Sequence, residues 1–158
     1  MHIDPEQVPP KTGTVYPEPF KARMAGRSKR RLGDAAGLKN FGVNLVMLEP
    51  GAMSALRHWH QRQDEFIYVL AGEVVLMTNA GEQVLTAGMA AGFPAGEANG
   101  HHLVNRSAAP AMFLEVGDRT PDDQITYPDD DLVAVAGEAG WVFFHRDGQP
   151  YTSSEFGD

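Results

Sequence analysis

The sequence predicts an all-β chain, a sandwich or a small barrel, on three observations. Short apolar runs recur at intervals of about eight to twelve residues from Phe41 onward. Turn residues punctuate them, since the chain carries 17 glycines and 11 prolines in 158 residues. The length suits a single domain, which at this size buries roughly two-thirds of its unfolded surface and needs no covalent staple. There is no cysteine. That excludes a disulfide framework, a thiolate zinc site, an iron–sulfur cluster and a cysteine nucleophile. Any metal must be held by histidine, carboxylate or water.

Residues 1–20 read as an extended arm, because Pro5, Pro9, Pro10, Pro17 and Pro19 disfavour helix. The polar, glycine-punctuated stretch from Arg27 to Lys39 is expected to be a loop or one short helical turn. At Phe41 the pattern changes. Phe41, Val43, Leu45 and Met47 alternate with Gly42, Asn44, Val46 and Leu48, and the run stops at Pro50-Gly51. Further strands are expected at 54–60, 65–70, 73–78, 83–85, 89–93, 101–104 and 111–116, each ended by a glycine or proline turn or a polar loop. Residues 120–131 are acidic and loop-like. Leu132–Ala136 and Trp141–Phe144 are two late apolar stretches, and the last eight residues are polar. The organisation is therefore an arm and loop over 1–40, a barrel core over 41–117 and a C-terminal extension over 118–158.

The formal net charge is −8. An acidic chain is a poor general binder of nucleic acid. The charge is unevenly spread. Lys21, Arg23, Arg27, Lys29, Arg30, Arg31 and Lys39 face a single acid, Asp34, in their stretch, whereas eleven acids follow from Glu115 against Arg119 and Arg146. A solvated or partner-facing arm is the simpler reading of the basic stretch, and a phosphate-binding edge is the sharper one. No apolar run approaches the ~18 residues of a membrane span. The first residues lack the charge and apolar pattern of a secretory signal, so a cytoplasmic location is expected.

The chemistry concentrates in the histidines. His58 and His60 flank Trp59, and residues two apart on a strand project from one face. Glu65 follows across a short turn, where a hairpin would return it to the pair. His101 opens a distant strand, with Asn105 four positions on. Three imidazoles and a carboxylate suit a divalent first-row metal with open positions for water or substrate. A His-x-His pair alone would be weak support, and the surrounding frame is more specific. Gly51, six residues, His58, one residue, His60, four residues, Glu65, six residues, Gly72 is followed by Gly88, five residues, Pro94, one residue, Gly96, four residues, His101, three residues, Asn105. This closely resembles the two signature motifs of the cupin superfamily, with one extra residue before His58 and two extra before His101, all in turn regions.

The resemblance covers about Phe41 to Val116. It implies a double-stranded β-helix, or jelly-roll barrel, preceded here by the extended N-terminal arm. It also implies a metal near the barrel mouth, with His58, His60, Glu65 and His101 as ligands. The metal so implied is a divalent first-row transition ion, with Zn, Fe, Mn and Ni all compatible. His102 would exchange roles with His101 if the strand slipped by one residue. Asp64 reads as a turn acid, and Tyr68 and Arg57 are candidate substrate contacts.

Within the superfamily, the chain is most similar to small bacterial members described as sugar-phosphate-isomerase-like. The residues behind this are the His-Trp-His with Asp-Glu-Phe after it, Gly-His-His-Leu-Val-Asn-Arg-Ser at 100–107, Leu-Glu-Val-Gly-Asp-Arg at 114–119 and Tyr-Pro-Asp-Asp-Asp at 127–131. The resemblance thus implies an enzyme acting on a small polar substrate, of sugar or sugar-phosphate isomerase type. An Fe(II)-dependent dioxygenase and a non-catalytic binding or sensor cupin are the alternatives. For an isomerase, Glu97, Glu115 and His102 are the available proton carriers, and Arg57, Arg62, Arg106 and Arg119 are available to a phosphate. A homodimer is expected, with the arm around Val15-Tyr16 adding a strand to a partner's sheet.

Overall fold

The computed structural model describes residues 2–152. Its strands in chain order are β1 (Lys11–Thr12), β2 (Arg27–Arg31), β3 (Phe41–Leu48), β4 (Trp59–His60), β5 (Glu65–Ala71), β6 (Glu73–Thr78), β7 (Gly81–Thr86), β8 (Ala90–Phe93), β9 (His102–Val104), β10 (Ala111–Asp118), β11 (Gln124–Tyr127), β12 (Leu132–Gly137) and β13 (Gly140–Phe144). They form a jelly-roll of antiparallel sheets. One sheet runs β1-β2-β3-β10-β5-β8. Opposite it lie β7-β6-β9 and β13-β12-β11-β4. Backbone bridges at Met53–Val104 and His58–His101 join these two into one continuous wall.

Alternation sets which residues face inward. On β3 the buried row is Val46 and Leu48, while Met47 is exposed. On β5 Ile67 and Val69 are buried, while Phe66, Tyr68 and Leu70 face outward. These rows meet Val74, Leu76, Leu85, Leu103, Ala111 and Phe113 in the barrel core. The chain crosses between walls at the β5–β6 corner through Gly72, whose φ is +72°. A Cβ there would lie 2.8 Å from the Pro110 carbonyl oxygen, so only glycine fits the corner.

Three local expectations change. Arg27–Arg31, expected as a loop or helical turn, is a strand paired along β3 from Arg27↔Leu48 to Arg31↔Asn44. Its run of charges hid it, because no apolar alternation marks a strand whose side chains border a polar cavity. The single helical turn follows it at Leu32–Ala35. Within the acidic stretch 120–131, β11 pairs with both β12 and β4. Its buried residues Ile125 and Tyr127 alternate with Gln124 and Thr126. The expected strand over 54–60 narrows to the regular pair Trp59–His60, with isolated bridges before it.

A second apolar cluster closes one end of the barrel. It joins Tyr16, Phe20 and Met24 of the N-terminal segment with Leu56, Ile125, Tyr127, Leu132, Ala134 and Phe143. Tyr16 packs edge-on against Tyr127 and Phe143 of its own chain. Among the described residues no helix is long and apolar enough to cross a membrane.

Candidate metal centre and its cavity

The backbone pairing of His58 with His101 places two imidazoles side by side. Each residue's N–H donates to the other's carbonyl, at 3.1 and 2.8 Å. Paired residues on antiparallel segments project their side chains to the same face, and the two rings lie 4.8 Å apart between centroids. His60, two residues on, shares that face. Glu65, at the start of β5, reaches across from the opposite sheet. One of its oxygens, Oε2, lies 2.8 Å from His101 Nε2, 3.3 Å from His58 Nε2 and 3.5 Å from His60 Nε2. The potential ligand atoms of His58, His60 and Glu65 all lie within 4.8 Å of one another. All three histidines are buried.

The far nitrogens decide what the near ones can do. His58 Nδ1 lies 2.8 Å from the Leu56 carbonyl oxygen and His60 Nδ1 lies 2.6 Å from an Asp123 carboxylate oxygen. Both partners only accept, so both Nδ1 atoms donate. The Nε2 lone pairs of neutral rings then point at a carboxylate oxygen. Lone pairs that converge in this way repel one another, and a proton or a cation between them relieves the repulsion. Donation from Nδ1 to a carbonyl or carboxylate is also what orients histidines toward a metal. The residues therefore fit the divalent cation that the fold implies, held through nitrogen and oxygen alone. His101 is held differently. Its ring stacks on Phe93 at 3.5 Å between parallel planes, and its buried Nδ1 has no hydrogen-bond partner among the described residues.

The electrostatics agree with a cluster sharing positive charge. Burial pushes the Glu65 carboxyl up, but hydrogen bonds from His101 and His58 outweigh it and hold the group well below the usual carboxylate range. Burial likewise works against charge on His58, yet the Glu65 hydrogen bond and charge raise its pKa. For His101 burial prevails and the pKa falls.

His102 points away from the cluster, with Nδ1 donating to the Ala55 carbonyl at 2.9 Å and Nε2 lying 3.2 Å from Met77 Sδ. Asp64 is a turn acid that accepts from the Ala95 N–H. Tyr68 is 40% exposed on the outer face of β5, away from the centre. Arg57 pairs with Asp129, Arg106 with Glu82 and Arg119 with Asp34. None of these, nor Arg62, lines the larger cavity at the centre. Glu97 lines a small pocket of about 70 Å³ on the His60 and His101 side.

The larger cavity, about 430 Å³, opens on the other side of His58 and Glu65. Tyr16, Tyr127, Trp141 and Glu115 form its walls, and Lys11, Arg27, Lys29 and Arg31 its basic border. Sequence reasoning missed Asp123 and Tyr127 as site residues, and it named Arg27 only within a basic stretch whose sharper reading was a phosphate-binding edge. For Tyr127 the Ile-x-Tyr alternation after Gln124 was the available signal. For Asp123 there was none, since several acids crowd the same stretch.

The family model for the cupin domain matches residues 44–117. The structure is similar to that of a sugar phosphate isomerase of the cupin superfamily from Silicibacter pomeroyi. Identity is 48%, with 99% of this chain and 100% of that chain covered and a TM-score of 0.93. It is also similar to a proposed sugar phosphate isomerase from Acidithiobacillus ferrooxidans, at 26% identity over 89% of this chain and 87% of that chain, with a TM-score of 0.76. A polyketide cyclase, RemF from Streptomyces resistomycificus, shares the fold at 21% identity, 75% and 78% coverage and a TM-score of 0.60. No curated protein sequence matches this chain.

Proposed function

The chain belongs to the cupin superfamily, and from that premise we propose that it is a metal-dependent isomerase of a small hydroxy-carbonyl substrate, a sugar or sugar phosphate. One observation carries the reading. Three imidazole Nε2 atoms converge on one Glu65 oxygen at the wall of a cavity of about 430 Å³. That volume lies in the range of small-molecule sites, roughly 300–1,000 Å³. The isomerase names of the Silicibacter and Acidithiobacillus proteins support the same reading.

His58, His60, His101 and Glu65 would hold the cation. When bound there, a divalent ion would supply Lewis-acid polarisation of a substrate carbonyl. The Nδ1 contacts of His58 and His60 keep those rings oriented and their Nε2 atoms free to bind. Moving the proton between adjacent carbons needs a base on the cavity wall. Glu115 is that group. Burial pushes its carboxyl up, but the Lys29 ammonium and hydrogen bonds from Lys29 and Asn44 hold it below the usual range, so it stays ionised. Lys29 Nζ lies 2.8 and 3.0 Å from its two oxygens and is placed to return a proton. Tyr127 packs beside the His58 ring, at 5.9 Å between centroids. Burial raises its pKa well above 10, so its hydroxyl keeps its proton, which it donates to the Tyr16 hydroxyl beside it.

The test is metal analysis on protein purified without chelator, beside a His58→Ala/His60→Ala variant. The wild type is expected to carry stoichiometric metal and to interconvert an aldose–ketose pair, and the variant to do neither. A metal-free wild type, or a metal-loaded one inert across a panel of sugars and sugar phosphates, would sink the reading. A homodimer belongs to the same proposal. The outward row Phe66, Tyr68 and Leu70, with Met47 nearby, exposes an apolar face that a second copy would cover. Sedimentation of a monomer at micromolar concentration would remove it.

A further inference from the structure

We propose that the β1–β2 edge of the large cavity is an anion subsite that binds a phosphate group of the substrate, centred on Arg27 and flanked by Lys11 and Arg31. The proposal rests on the isomerase reading for the rest of the substrate, but anion binding itself requires no turnover.

Register puts the cations there. Arg27, Lys29 and Arg31 are alternate residues of β2 and share a face. Their β3 partners are Leu48, Val46 and Asn44, the row that turns into the barrel. The three cations therefore project over the mouth. Lys11 pairs with Lys29 across β1–β2 and joins them. All four line the cavity that also contains His58 and Glu65.

The four cations differ in their counter-charges. Two carboxylates line the same cavity, Glu65 and Glu115. Glu65 is engaged by the imidazoles, and Glu115 is bound by Lys29. Among the described residues Arg31 has only the distant, exposed Asp34 at 3.9 Å. Arg27 forms no ion pair among the described residues. Its guanidinium donates to two backbone carbonyls, Ser54 at 2.6 Å and Gly13 at 2.9 Å. Those contacts fix its direction without cancelling its charge. In a chain of net charge −8, a concave surface that keeps cations unneutralised is built for an incoming anion. A guanidinium held by carbonyls on one edge still offers donors to phosphate oxygens on another. The four arginines that the sequence offered to a phosphate do not compete for the role, since Arg57, Arg106 and Arg119 are each spent on a carboxylate and Arg62 does not border the cavity.

Calorimetric titration with inorganic phosphate, a sugar phosphate and the matching free sugar tests this, with metal content measured in every sample. The wild type is expected to bind the phosphorylated sugar at least tenfold more tightly than the free sugar. Arg27→Gln should weaken phosphate and sugar phosphate by about tenfold or more, and Lys11→Gln/Arg31→Gln by a smaller factor. Arg106→Gln, outside the cavity, should leave both unchanged. Circular dichroism and a melting curve establish that each variant is folded. If Arg27→Gln fails to fold, the Lys11→Gln/Arg31→Gln pair decides. Equal affinity for sugar and sugar phosphate would overturn the subsite. So would phosphate binding that persists in the folded β2 variants but disappears in His58→Ala/His60→Ala, since the anion would then sit on the metal. Arg27-dependent phosphate binding without isomerisation would keep the subsite and sink the isomerase reading. Isomerisation of unphosphorylated sugars with no loss in Arg27→Gln would do the reverse.

Discussion

The two apolar clusters are made from different parts of the chain and serve different ends of the barrel. The first draws only on residues between Val46 and Phe113, is mostly aliphatic, and has no polar atom to place. The second joins Tyr16, Phe20 and Met24 to residues between Ile125 and Phe143, with Leu56 between them. Its aromatic rings lie against the candidate metal centre, where Tyr127 meets His58 and the neighbouring Trp141 meets His60 at 6.2 Å. The first cluster needs only volume and apolar surface. The second must also present hydroxyls and rings at fixed places. One holds the sheets together, and the other shapes the room in which chemistry would occur.

Removing a fully buried ring from the first cluster should break this division most severely. Phe113 has no exposed surface, and Phe113→Ala is expected to cost about 3–5 kcal/mol in urea unfolding. Metal binding should fall with it, because the sheets that carry the ligands would loosen together. Asp123→Asn probes the other end. The carboxylate that fixes His60 is fully buried and also accepts the Arg62 N–H at 2.7 Å. Loss of such an orienting group typically weakens metal affinity by about 10–100-fold. Competition with a chelator should show that loss while the barrel stays folded.

Glu115 lies between the two ends, and its pH dependence sharpens the contrast. Its pKa is depressed in the fold because Lys29 and Asn44 outweigh the effect of burial. A depressed carboxyl contributes stability that is present above its unfolded value, about 4.3, and is lost as pH falls through its folded value. Wild type should therefore be more stable than Glu115→Gln at neutral pH, and the difference should shrink below about pH 4.3. A difference that grew in acid would reverse the assignment. The smallest effect is expected at Arg106, whose ion pair with Glu82 is on the surface. Arg106→Ala should leave the melting temperature and metal content unchanged.

Most of the first cluster was legible in the sequence, because strands with one buried face alternate with period two and end in glycine or proline. The His58, His60, Glu65 and His101 constellation was legible through its spacing, and the structure brings these four side chains together. The parts that were not legible are those whose partners are distant and polar. Arg27–Arg31 has no apolar residue, and its strand identity comes from pairing with β3. Arg57, Arg62, Arg106 and Arg119 were plausible phosphate contacts by type, but ion pairs occupy three of them and the cavity border is formed by β1 and β2 instead. Asp123 is 63 residues from the histidine it orients, and no local pattern distinguishes it from its acidic neighbours.

The bond between Asp123 and His60 bears on what can be transplanted. Residues 44–117, the part matched to the cupin domain, contain every candidate ligand but not the group that aims one of them. The peptide leading into His101 is also wedged from outside that span: a Cβ on Gly100 would strike Pro128 at 2.8 Å. A graft or truncation that took the shared barrel alone would carry the ligands without their alignment. The ligands keep their alignment only when the barrel travels with its C-terminal strands, and the cavity keeps its border only when β1 and β2 travel with them.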